Sequence, residues 1–155
     1  MFHTIARLQY RLFDRMRHRK AFEVAKQPPT AADLEPLHGH HYCLLVTFRR
    51  SGEPVPTPVL FGLQDGKLYL RTDAATAKIA RIRNDPRVLV GPCNSRGKPR
   101  GPLAQGTAHV LSPEENDAAY AVLKQNYTTV GRLGERMLDL LPIEMAYIEV
   151  APSRA

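Results

Sequence analysis

Three prolines at spacing two, in Pro54-Val-Pro-Thr-Pro-Val-Leu-Phe61, constrain this chain more than any other feature. The segment follows a hairpin turn, Arg49-Arg-Ser-Gly-Glu53, and reads as a strand. Successive N–H groups of a strand point to opposite sides. Pro54, Pro56 and Pro58 therefore lack donors on one and the same side, which cannot receive a full ladder partner. The other side, through Val55, Thr57 and Val59, still can. Such a strand ends a sheet. Its proline side is either a protected edge that blocks aggregation or one wall of a ligand crevice. The strand alone leaves both readings open.

The neighbouring segments place this strand in a mainly β fold. Tyr42–Phe48 is nearly all apolar and predicts a strand buried on both faces. Gln64-Asp-Gly-Lys67 is a tight turn, and Leu68–Thr72 alternates as a half-buried strand does. A polar loop and a helix follow, with Lys78 in the first turn, Ile79 and Ile82 on the buried face, and Lys78 and Arg81 on another. Asp85-Pro86 stops that helix, and a strand over Arg87–Val90 begins. Pro92–Pro99 reads as a turn. Leu103–Leu111 reads as a strand with Gly106 as a bulge or a point of close approach. Ser112-Pro-Glu-Glu115 has the form of a capping box with Pro at the first helical position. It predicts a helix to about Tyr127, a second helical piece over about Arg132–Leu141, and a last strand over Glu144–Val150. Thr30 is expected to cap a short helix running to Pro36. About six antiparallel strands with two interposed helical regions predict a small β-barrel closed by helices. The chain divides into an arm and linker over 1–29 and one barrel domain over 30–155.

Charge narrows the ligand. The net charge is +7, and residues 67–100 alone hold nine basic and two acidic side chains. A helix start carries roughly half a positive charge and unpaired N–H groups. Arg71, Thr72 and Lys78 lie near the start of the helix that contains Lys78, and together they predict a phosphate site. A phosphorylated small molecule, such as a flavin-like cofactor, follows. The same field would attract nucleic acid or anionic lipid. No basic–aromatic motif of RNA readers is present, so nucleic acid is not an expected partner.

Residues 2–26 read as an amphipathic helix, with Phe2, Ile5, Leu8, Leu12 and Met16 on one stripe and Arg7, Arg11, Arg15 and Arg19 off it. Such a helix lies on an anionic membrane surface or packs on the barrel or a second subunit. Packing is preferred, because no Trp anchors the apolar side. Cys43 and Cys93 are too few for a disulfide scaffold and predict two buried free thiols in a cytoplasmic protein. No apolar run approaches the ~20 residues of a membrane span, and no secretory signal is visible. His38-Gly-His-His41 lacks any accompanying ligand spacing, so no metal is expected. No acid–base dyad or triad stands out, and no catalytic residue is assigned.

Taken together, several phrases resemble a known family. They are Leu44–Phe61, Leu68-Tyr-Leu-Arg-Thr72, Ala77–Val88, Gly91-Pro-Cys93 and Arg96–Pro102. They are similar to the pyridoxamine-5′-phosphate-oxidase-like, deazaflavin-dependent oxidoreductases of the split β-barrel, FMN-binding-like fold. The resemblance covers roughly residues 36–150. It implies a homodimer with two cofactor sites at the subunit interface. It implies coenzyme F420 as cofactor, with flavin mononucleotide (FMN) as the other option, and hydride transfer from the reduced cofactor to a small organic acceptor. A non-catalytic flavin- or tetrapyrrole-binding protein is the rival reading. By the same resemblance Arg71, Thr72 and Lys78 hold the cofactor phosphate. Thr57, Pro58 and Val59 run along the ring system, with Arg81, Pro92, Cys93 and Asn94 close by.

Overall fold

The computed structural model describes residues 17–153, the side chains of Val130 and Leu138 excepted. Most of the helix predicted over 2–26 lies outside the described residues. Its end forms helix α1, Arg19–Ala25.

Seven antiparallel strands form one sheet. They are β1 (Tyr42–Phe48), β2 (Pro54–Leu60), β3 (Gly62–Gln64), β4 (Lys67–Asp73), β5 (Arg87–Cys93), β6 (Ala104–Val110) and β7 (Met145–Pro152). Their order is β2-β1-β5-β6-β7-β4-β3. The two outermost strands, β2 and β3, are separated in sequence by Phe61 alone. One run of chain therefore supplies both edges, and the sheet must curl to bring those edges together. The outcome is a half-barrel with a few helices: α1, α2 (Ala77–Asn84), α3 (Asn116–Asn126) and α4 (Thr129–Asp139). No helix among the described residues is long and apolar enough to cross a membrane.

Alternation along β1 explains why that strand is apolar throughout. Cys43 and Leu45 point into the barrel with Leu68, Leu70, Val88, Val90, Ile148 and Val150, and Ile79 and Ile82 of α2 complete that core. Leu44, Val46 and Phe48 point the other way, against Leu89, Cys93 and the Ala21 and Ala25 face of α1. Each fully buried Leu, Val or Phe contributes about 1.5–3 kcal/mol, so both faces are strongly specified. A third cluster, with Leu111, Ala119, Leu123, Tyr127 and Tyr147, lies under α3. Both cysteines are buried free thiols.

The proline strand behaves as its donors require. Among the described residues β2 pairs only with β1, and Val55, Thr57 and Val59 stand opposite Thr47, Leu45 and Cys43. Pro92 is similarly placed. It extends β5 past the predicted end at Val90, beyond the last β6 partner, Ala104. The side a partner strand would need there keeps its carbonyl, which accepts from Arg100 N at 2.8 Å. β3 was not foreseen, because three residues show no period. Thr30 caps no helix. Thr30 N and Ala31 N both donate to Leu103 O at 3.0 Å, and the helix nearby is a single turn, Glu35–Leu37. The capping box is real: Ser112 N and Oγ donate to Glu115 Oε1 at 3.3 and 2.8 Å. These bonds hold the Glu115 carboxyl below its usual range.

Close packing explains two glycines. A Cβ at Gly106 would lie 2.6 Å from Val150 Cγ1, so the close approach read from the sequence is the correct alternative. A Cβ at Gly62 would lie 2.6 Å from the backbone oxygen of Val122. Gly62→Ala must therefore push α3 off β3. We expect a loss of about 1–3 kcal/mol, read as a lower urea midpoint with an unaltered slope. An unchanged midpoint would mean that α3 shifts at no cost.

Candidate anion and cofactor site

Cations gather where α2 packs against the β1–β2 hairpin. Thr47 is a fully buried hydroxyl in an otherwise apolar strand and so needs a partner. Arg81 Nε donates to its Oγ1 at 2.7 Å. Thr47 stands opposite Val55 on β2. The next residue, Pro56, accepts a hydrogen bond on its carbonyl from Arg17 Nη1. Lys78 precedes Arg81 by three residues on α2, so the two share a face.

The charges in this cluster disturb one another. Burial, and then the charges of Arg17 and Arg81, push the half-buried Lys78 amine down to about 8, against a smaller opposing effect of Asp73. Burial and Arg49 lower Arg81; burial and Arg81 lower Arg17. Among the described residues, neither Lys78 nor Arg81 has a carboxylate within ion-pair distance. Two such cations on one helix face, Lys78 and Arg81, favour a bound anion, since an opposite charge within ~4–6 Å restores the charged form.

The neighbouring edge of β2 has its own chemistry. N–H and C=O of one residue point to the same side of a strand. The outer edge therefore offers the carbonyls of Pro54, Pro56 and Pro58 and no donors between them. It cannot template another strand, but it can receive donors, as Arg17 does at Pro56. Thr57, Pro58 and Val59 lie half-buried along β2, one or more residues from Pro56. Thr72 is buried, with its Oγ1 3.5 Å from Thr76 Oγ1 at the start of α2. The turn before that helix already holds one carboxylate of the chain: Asp73 Oδ1 accepts from Ala75 N at 2.9 Å.

Within the protomer Arg71 of the expected trio Arg71, Thr72 and Lys78 points away from the other two. Successive strand residues face opposite ways. Thr72 points inward with Leu68 and Leu70, whereas Arg71 points outward. Its Nε donates to Glu135 Oε2 at 2.6 Å and its Nη1 to Asp139 Oδ1 at 3.1 Å, both on α4. Its guanidinium also stands 4.9 Å from the centroid of the Tyr120 ring. Burial alone would lower its pKa. Hydrogen bonds to Tyr147 and Glu135 and the Glu135 charge outweigh burial and raise it.

Pro92, Cys93 and Asn94 are likewise not brought to Lys78 by the strand register. Cys93 stands opposite Tyr42, roughly 17 Å along β1 from Thr47. Burial pushes its thiol up to about 12, which favours the protonated form at neutral pH. Asn94 forms a turn, with Oδ1 accepting from Arg96 N and Lys98 N at 2.9 Å each. Two members of the cluster, Arg17 and Thr47, were missed in the sequence. Thr47 carried a signal, as the one aliphatic hydroxyl in a strand buried on both faces. Arg17 carried none, because an arginine in a basic arm looks like its neighbours.

The His38–His41 loop is a structural joint. Asn126 Nδ2 donates to His40 O and Phe61 O at 3.0 and 2.9 Å, and His41 Nδ1 lies 2.8 Å from Asn126 O. The cleft beside it, about 190 Å³, is smaller than the ~300 Å³ at which small-molecule pockets begin. Among the described residues no three His, Cys, Asp or Glu side chains gather as a metal site would need.

Known proteins share this architecture. A conserved hypothetical protein from Mycobacterium tuberculosis is 20% identical, with a TM-score of 0.58 over 83% of this chain and 87% of that one. A FAD-binding protein from Mesorhizobium loti is 17% identical, with a TM-score of 0.55 over 77% and 86%. HutZ, the heme storage protein from Vibrio cholerae, is 13% identical, with a TM-score of 0.54 over 78% and 87%. At these identities the likeness is one of fold. A comparison with curated proteins finds no match. The sequence profile of pyridoxamine 5′-phosphate oxidase matches residues 29–151, which span every strand of the half-barrel but the last residue of β7, and both Lys78 and Arg81. With most of its length covered by that profile and its fold in agreement, the chain belongs to the pyridoxamine 5′-phosphate oxidase family.

Proposed function

We propose that this chain is an oxidoreductase that binds coenzyme F420, with FMN as the alternative, and transfers hydride between the reduced cofactor and a small organic acceptor. One observation carries the reading: Lys78 and Arg81 converge, without carboxylate partners among the described residues, beside the donor-free edge of β2. The bound cofactor supplies the redox chemistry; the protein supplies binding and orientation. Lys78 and Arg81 hold the phosphate, with Thr72 at the same helix start. Thr57, Pro58 and Val59 flank the ring system, whose N–H groups suit an edge made of carbonyls.

F420 carries a phosphate and a polyglutamate tail, whereas FMN carries the phosphate alone. The basic excess of residues 67–100 suits the longer anion. A homodimer fits the outer surface, where Leu133, Met137 and Leu140 are 62%, 63% and 85% exposed on and just after α4. A second copy would cover such a face.

The test is a side-by-side titration of F420 and FMN, followed by fluorescence, and then a screen of acceptors against the reduced cofactor. Tighter binding of F420 with turnover supports the reading. Preference for FMN moves the protein to the flavin-dependent branch. Tight binding without oxidation of the reduced cofactor by any acceptor makes it a carrier. Binding of neither removes the cofactor assignment.

A further inference from the structure

The family match begins at residue 29, yet the described end of the arm before it is built into the barrel. His18 N donates to Arg96 O at 2.8 Å. Ala21 and Ala25 are buried against the outer face of β1. The 94–98 turn runs along the stem of Arg17: a Cβ at Gly97 would lie 3.7 Å from Arg17 Cγ. The Arg17 guanidinium stands 5.6 Å from the centroid of the Phe22 ring, and Nη1 donates to the Pro56 carbonyl. Backbone, stem, ring and carbonyl thus all fix one long side chain on the proline edge of β2.

That position is next to the anion site. Pro56 follows Val55, Val55 stands opposite Thr47, and Thr47 holds Arg81. The Arg17 charge bears on Lys78, and the Arg81 charge bears on Arg17. A guanidinium offers five donors in a planar fork that matches phosphate oxygens. Fixed in advance by Pro56 and Phe22, it loses little further freedom when a ligand arrives.

We propose that Arg17, supplied by the N-terminal arm from outside the family-matched stretch, is a third phosphate-binding residue of this site. The proposal rests on the reading that Lys78 and Arg81 hold a cofactor phosphate. It makes the arm a part of the binding site and predicts that its docking sets affinity for the phosphorylated cofactor.

The experiment uses the full chain and ligand pairs that differ in phosphate: FMN against riboflavin, and F420 against its phosphate-free chromophore. Wild type, Arg17→Gln, Arg17→Lys and Lys78→Gln are titrated, with thermal melts to check folding. Arg17→Gln should weaken the phosphorylated ligands on the order of tenfold and leave the phosphate-free ones unchanged. Arg17→Lys, which keeps the charge and loses the fork, should fall between. Unchanged affinity in Arg17→Gln beside a loss in Lys78→Gln overturns the proposal while keeping the cofactor reading. Equal losses for both members of a pair also overturn it, since Arg17 would then only shape the edge. If wild type binds none of the four ligands, the cofactor reading fails. Arg17 is then judged with inorganic phosphate, by its effect on the Lys78 amine resonance. A response lost in Arg17→Gln supports the proposal, and a response equal to wild type or absent in both overturns it.

Discussion

Lys78→Gln is expected to weaken binding of a phosphate-bearing cofactor by roughly 10- to 100-fold, the value of a hydrogen bond to a charged group. Folding should not suffer. Burial, and then the neighbouring cations Arg17 and Arg81, depress the Lys78 amine to about 8, so its charge opposes folding. In the unfolded chain it titrates near its ordinary 10.5. Below about 8 the amine is charged in both states and the penalty is fully present. Between about 8 and 10.5 the unfolded state binds more protons, so this group's contribution to stability rises with pH. Gln at this position should therefore melt at or above the wild-type temperature at pH 7. Binding has the opposite trend. An anion needs Lys78 charged, so cofactor affinity should fall as pH rises through about 8, with proton uptake on binding. Calorimetry in buffers of different ionisation enthalpy reads that uptake. Lys78→Gln should abolish it. Uptake that persists in the variant would assign the proton to another group. Full affinity in the variant would take Lys78 out of the site.

Arg71→Ala is expected to cost about 3 kcal/mol, near the low end for breaking a buried ion pair. The Arg71 and Glu135 side chains are only 5% and 13% exposed. Alanine would leave the Glu135 carboxylate buried without its cation and would remove the ring contact with Tyr120. Asp139, 44% exposed, can turn to water, which limits the loss. The damage should be local at first, because Arg71 ties β4 to α4 at Glu135 and Asp139. Hydrogen exchange in Thr129–Asp139 should rise before the barrel core is affected. Arg71→Met with Glu135→Leu should recover much of the loss, since an apolar pair of similar size avoids the stranded charge. A single-variant cost under about 1 kcal/mol would place the pair with exposed ion pairs. A weakened FMN affinity with unchanged riboflavin affinity in Arg71→Ala would return Arg71 to the phosphate.

Local chemistry made much of the fold legible. The three prolines of β2 dictate an edge wherever the strand sits, because a missing donor is a property of the residue. The apolar run of β1 dictates burial on both faces. Ser112 and Glu115 dictate a helix start, since both partners of the box lie within one turn. Lys78 and Arg81 could be put on one face of α2 from their spacing alone.

Other features depend on which segments meet. β3 exists because Gly62 lets α3 approach and because β4 turns back at Gly66, not because its three residues favour a strand. Arg71 could have been assigned its side from alternation with Thr72, but its partners Glu135 and Asp139 lie on a helix that only tertiary packing delivers. The 94–98 turn and α1 bring Arg17 to Pro56 from far away in the chain. Sequence determined what each segment could bond locally: donors, caps, periods and charge. The tertiary structure decided which charges became neighbours, because the field at Lys78 is set by distances between segments that no local pattern encodes.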